Sequence, residues 1–131
     1  MKIKRIEVNT SNKFDMVEIT KLVQAFVEDA PEKSGLVNVY IPHTTAGVTI
    51  NEAADPDVVY DLKFAFKRIS PKLREFIHNE GNSDAHFLSS LVGCSSIIPF
   101  EANELLLGTW QGIFLCEFDG PRTREVVISI C

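Results

Sequence analysis

Three histidines are the whole imidazole supply of this chain, and each stands in polar company. His43 follows a β-branched run and opens the stretch IPHTTAGVTINEAADPD, which also carries Asn51, Glu52 and Asp55. His78 and His86 bracket the stretch HNEGNSDAH, with Asn82 and Ser83 between them. Three imidazole nitrogens can hold one metal ion and leave a position open for water or substrate, the pattern of a catalytic rather than a structural site. On a single helix, eight residues would set His78 and His86 about two turns apart, too far for one ion. Gly81-Asn82 signals a loop between them and removes that objection. The spacing alone is weak: no HxxxH or HExxH pattern is present, and a histidine is more often a surface or satisfied core residue. Acidic and amide neighbours, able to fix an imidazole tautomer, favour the site. Glu117 and Asp119, two apart on one expected strand, share a face and either join the site or meet solvent. Trp110-Gln111 suits packing, or a platform for a flat heterocycle. Cys94, Cys116 and Cys131 form an odd set without a CxxC pair, so buried free thiols are expected rather than disulfides.

These side chains need elements to hold them. Ile3 to Val8 and Phe14 to Val17 alternate as two strands around the turn Asn9-Thr10-Ser11-Asn12, which predicts a hairpin. Thr20 is a credible N-cap for a helix over 21–29, with Leu22, Val23, Phe26 and Val27 on one stripe. Leu36 to Ile41 reads as a strand that ends or bends at Pro42, and Val48 to Ile50 as a second that delivers Asn51 and Glu52. Asp55 before Pro56 is a helix-start signal, so capping is the competing role for Asp55. That helix runs to about Arg68 and stops at Ser70-Pro71. A third helix starts near Asn82 or Ser83 and stops at Gly93. Strands over 94–100, 105–107, 113–118 and 125–130 follow, with turns at Glu101–Glu104 and Asp119–Arg122. The sum is a single domain over residues 1–131 of the α+β class, mostly antiparallel strands with about three helices packed on them.

With 131 residues, 45% hydrophobic and 24% charged, the chain can bury a real core. A formal net charge of −5 and no Lys/Arg-rich block argue against nucleic acid or an anionic membrane as partner. Lys67-Arg68 and Arg122/Arg124 remain available to a phosphorylated small molecule. No apolar run approaches the roughly 20 residues that span a bilayer, and the first ten residues alternate like a strand, so a cytoplasmic protein is expected.

Three long stretches, PHTTAGVTINEAADPDV, HNEGNSDAHFLSSLVG and LLLGTWQGIFLCEFDGPRTREV, together resemble the YjbQ family, described as secondary thiamine-phosphate synthases. The resemblance covers nearly the whole chain. It implies a small α+β domain with a distorted β-barrel, assembled as a homotrimer. It also implies formation of thiamine phosphate from hydroxymethylpyrimidine diphosphate and thiazole phosphate, beside a main role that is not settled. The matching positions are His43, Asn51, Glu52 and Asp55, then His78, Asn82, Ser83 and His86, then Trp110, Gln111, Glu117, Asp119, Gly120 and Arg122. Asn79 departs from the pattern, standing where a smaller residue such as glycine is expected.

In that chemistry the hard step is departure of diphosphate, whose growing charge needs a divalent cation or Arg/Lys. The expectation is a divalent metal on His43, His78 and His86, with Glu52, Asp55 and Asp119 as catalytic carboxylates. Asn51, Asn82, Ser83, Gln111 and Arg122 would contact substrate. Three imidazoles favour zinc, whereas diphosphate favours magnesium on oxygen ligands. That tension keeps two alternatives open. One is a zinc-type hydrolase with Glu52 as base; the other is a non-enzymatic trimer that binds a small phosphorylated or heterocyclic metabolite.

Overall fold

A computed structural model describes residues 2–131. Its elements run β1 (Lys2–Asn9), β2 (Asp15–Glu18), α1 (Thr20–Glu28), β3 (Ser34–Tyr40), β4 (Ala46–Glu52), α2 (Pro56–Ile69), α3 (Ser83–Val92), β5 (Ser95–Glu101), β6 (Glu104–Leu105), β7 (Gln111–Glu117) and β8 (Thr123–Ile130). The strands form two sheets, in the orders β1-β8-β3-β5-β6 and β2-β7-β4, with every pairing antiparallel. One sheet curls into a half-barrel, and the fold is α+β.

Strand β7 shows how the layers are built. Alternate residues of a strand face opposite sides of its sheet. Ile113 and Leu115 enter the main core between the sheets, with Val37, Val39, Val126 and Ile128. Phe114, Cys116 and Phe118 face the other way, against Ala85 and Leu88 of α3 and Val59, Leu62 and Phe66 of α2. A strand covered on both faces reads as a continuous apolar run, and IFLC is that run. Helix α1 closes the main core with Val23, Phe26 and Val27.

The expected hairpin of the first two strands does not form: β1 pairs with β8 and β2 with β7, in different sheets. Short-range alternation specifies strands but not partners, and the C-terminal strands supply the longer edges. Thr20 is the first residue of α1, not its cap. Its hydroxyl donates to Glu18 Oε2 (2.9 Å) and accepts the Ile113 amide (2.9 Å), tying α1 to β7. Strand β6 is shorter than expected and stops at Leu105. Of the three thiols only Cys116 is buried, and burial pushes it up to about 12; Cys94 and Cys131 are exposed. No helix among the described residues is long and apolar enough to cross a membrane.

Candidate functional site

Helix α3 is stitched to the strands that carry His43. The amide of Val48 donates to Gly93 O (3.1 Å), the Ser89 hydroxyl to Ala46 O (2.6 Å), and the amide of Ile41 to Cys94 O (2.7 Å). Gly47 permits this approach, since a Cβ there would lie 2.5 Å from Gly93 O. The stitching sets His43 and Thr44 beside His86, Ser89, Ser90 and Cys94, around a cleft of about 380 Å³. The His78 ring stands 5.3 Å from the His86 ring, edge to face at 83°. His78 in turn lines a second cleft of about 330 Å³ with Lys72, Arg74, Ser83 and Asp84. Two clefts therefore meet at a pair of imidazoles.

Under His43 lies a buried ion pair. Strand parity places Ile113, Leu115 and Glu117 on one face of β7, and Arg124, Val126, Ile128 and Ile130 on one face of β8. Both charges thus point inward at strand ends, Glu117 at 0% exposure and Arg124 at 2%. Arg124 Nη2 and Nε donate to the two Glu117 oxygens, and Nη2 also reaches Thr45 Oγ1 (2.8 Å) and Thr45 O (3.0 Å). Thr10 donates to Glu117 Oε1 (2.8 Å), and the amides of Phe118 and Asp119 to Oε2 (both 3.1 Å). Glu117 therefore neither lines the cleft nor meets solvent; its lone pairs are filled, as a buried charge requires.

His43 is bonded from behind. The amide of Glu125 donates to its Nε2 at 2.9 Å. Burial, and then the nearby Arg124 guanidinium, hold its pKa below the ordinary 6.5, against the opposing pull of Glu117. The ring is neutral at pH 7 with its proton on Nδ1.

This geometry tests the expected metal centre. A ligand imidazole must offer a lone pair. If His43 gave that of Nδ1, Nε2 would carry the proton and confront the Glu125 N–H, donor against donor. His43 does not fit a three-imidazole ligand set. No three His, Cys, Asp or Glu side chains among the described residues stand together as a metal group.

The remaining predicted residues divide by place. Asn82, Asp119 and Arg122 come together: Asn82 Nδ2 and Arg122 Nη2 both donate to Asp119 Oδ2 (2.9 Å each), and Arg122 Nε donates to Asp119 O (2.9 Å). Ser83 lines the second cleft. Asn51, Glu52, Asp55 and Gln111 lie elsewhere. Ala46 pairs with Glu117 and Glu52 with Gln111 at opposite ends of the β4–β7 ladder, roughly 20 Å apart at about 3.4 Å per residue. Glu52 and Asp55 line a separate hollow with Trp110. Asp55 caps α2, accepting the Asp57 amide at 2.9 Å. Gln111 Oε1 accepts the Gly108 amide (2.8 Å), and Asn51 Oδ1 the Glu52 amide (2.7 Å). Within one chain these residues do not reach the imidazoles.

Sequence reasoning missed Asp84. It is 1% exposed in the first turn of α3, and its Oδ2 accepts from Lys72 (3.0 Å), Lys13 (3.2 Å) and Ser70 (2.9 Å). Burial alone would raise its pKa; these donors together outweigh it and bring the carboxyl down to about 2. The available signal was a helix stripe, Asp84–Ala85–Leu88, that puts a carboxylate on the apolar face.

Two antiparallel sheets, α1 closing the main core, α2 and α3 on the other face of β7, and a cleft beside α3 define a small α+β domain with a polar site. The model of UPF0047 protein YjbQ-like chains matches residues 4–131, and the chain belongs to that family. It is 47% identical to a UPF0047 protein of Methanocaldococcus jannaschii, over 96% of this chain and 91% of that one. It is 46% identical to the UPF0047 protein YugU of Bacillus subtilis over 98% of each. Among solved structures, a YjbQ/UPF0047 family protein of Clostridium acetobutylicum superposes with a TM-score of 0.93 at 45% identity, covering 98% of this chain and 99% of that one. A YbjQ-like protein of unknown function from Sulfolobus solfataricus gives 0.91 at 32%, over 98% and 95%.

Proposed function

We propose that the protein is a transferase of the thiamine-phosphate-synthase type, working as a cytoplasmic homotrimer. The observation that carries this reading is the meeting of two unlike clefts at the His78–His86 pair. One is walled by imidazole, hydroxyl and thiol groups and suits a heterocycle; the other holds Lys72 and Arg74 and suits phosphate.

In the reaction, the ring nitrogen of thiazole phosphate attacks the methylene carbon of hydroxymethylpyrimidine diphosphate. The methylene C–O bond breaks, and diphosphate leaves with its electron pair. Lys72 and Arg74 take up the growing charge. His43, fixed with its proton on Nδ1, donates a hydrogen bond to an acceptor of the bound heterocycle. His86 and His78 lie between the clefts, placed to pass a proton to the departing oxygen. Magnesium, brought in with the diphosphate, would supply further charge neutralisation to the leaving group beside Lys72 and Arg74.

The test is product formation from the two substrates, followed by mass spectrometry of thiamine phosphate and by diphosphate release. Wild type turns over, and His86→Ala lowers kcat/KM by about 100-fold, the usual share of one acid–base group. A wild-type rate equal to the protein-free blank, with magnesium or zinc present, overturns the reading.

A further inference from the structure

The N-terminus of α3 is left open. Asn82, at the cap position, makes no side-chain cap bond because its amide is turned to Asp119. The amides of Ala85 and His86 both go to Asn82 O, which leaves those of Ser83 and Asp84 without an acceptor among the described residues. Free amides at the positive end of a helix favour an anion. Around them stand cations in excess. Lys72 and Lys13 share one carboxylate, Asp84, and Arg74 lines the same cleft as Lys72, Ser83 and Asp84. A positive cleft on a chain of net charge −5 is a local departure from the whole-molecule field.

A second observation points the same way and narrows the ligand. Asp84 lines this cleft with a side chain only 1% exposed, and its Oδ1 has no hydrogen-bond partner among the described residues. Asn82 Oδ1, two residues away, is likewise buried without a donor. Buried acceptors without donors are rare in folded proteins. One oxygen of Asp84 is saturated by three donors while the other waits for one.

We infer that this cleft is a subsite for an organic phosphate that also carries an amine or hydroxyl a few bonds from its phosphorus. The phosphate meets the Ser83 and Asp84 amides, Arg74 and Lys72, and the amine or hydroxyl donates to Asp84 Oδ1. The inference deepens the transferase reading by naming the phosphate residues and the second recognition element, and it rests on that reading only for an organic phosphate as ligand.

Isothermal calorimetry of the full chain, with no turnover involved, tests it. The probes are inorganic phosphate, ethyl phosphate and phosphoethanolamine. Phosphoethanolamine binds about tenfold more tightly than ethyl phosphate, the scale of one charge-assisted hydrogen bond. Arg74→Ala weakens all three by about tenfold, and Lys21→Ala, on the exposed start of α1, weakens none. Asp84→Asn abolishes the preference for the amine. Absence of binding by all three probes overturns the subsite, as does binding that Arg74→Ala leaves unchanged. Equal affinity of wild type for phosphoethanolamine and ethyl phosphate overturns the role of Asp84. A protein that binds these probes yet makes no thiamine phosphate would sink the transferase reading alone.

Discussion

At the scale of single residues, the site depends on the Glu117–Arg124 pair more than on any exposed group. The pair is fully satisfied, and its guanidinium helps keep His43 neutral. Breaking a buried pair from one side leaves an uncompensated charge, at a cost of about 3–5 kcal/mol. Arg124→Met is therefore expected to lower unfolding stability by that amount in urea titrations, while Arg122→Met, whose partner Asp119 is less buried, costs under about 1 kcal/mol. Equal losses in the two variants would contradict this. Both inward charges were legible by parity: Glu117 follows Ile113 and Leu115 at steps of two, and Arg124 precedes Val126 and Ile128 at the same step. Proximity in sequence instead made Arg122 and Arg124 look like one basic pair. His43 was legible as special, but its role was not, because the amide that engages it belongs to Glu125, 82 residues away.

At the scale of elements, the decisive contact is the seam between α3 and β4. It positions His86, Ser89 and Cys94 against His43, and glycine at position 47 is what allows it. Gly47→Ala would drive a methyl into the Gly93 carbonyl, an overpacking that costs about 1–3 kcal/mol. The expected result is a lower Tm, with the His43 and His86 resonances shifted in NMR spectra. An unchanged Tm would mean that the seam is looser than the distances say. The start of α2 and the stop of α3 were readable because Asp55, Pro56 and Gly93 act locally. The cap expected at Thr20 does not form, because its hydroxyl is engaged by Glu18 and Ile113. The partition of the first motif was not: one seven-residue strand separates His43 from Glu52, and only a strand assignment taken literally as length would have shown them to be far apart.

At the scale of the whole molecule, several large apolar side chains stand in solvent. Tyr60 is 67% exposed, Trp110 63%, Leu91 62%, Ile77 94%, and α2 has no buried residue. The proposed trimer would give such side chains a subunit to cover them. Light scattering is expected to give about 44 kDa, three times the 14.6 kDa chain. Because Trp110 is the sole tryptophan, its emission should shift to the red if dilution frees single chains. A mass near one chain at micromolar concentration would contradict the trimer. The α+β class followed from alternation and helix stripes, whereas strand order did not, since periodicity carries no information about distant partners.

The strand order has a consequence for synthesis. Each sheet joins a strand from the start of the chain to one from its end, β1 to β8 and β2 to β7. On the ribosome, β4 waits through about 60 residues and β2 through about 90 for β7, and β1 through more than about 110 for β8, with hydrogen-bonding edges open. Neither core can close until β7 and β8 have been made, so the pairings that complete both sheets come late in the synthesis of this domain.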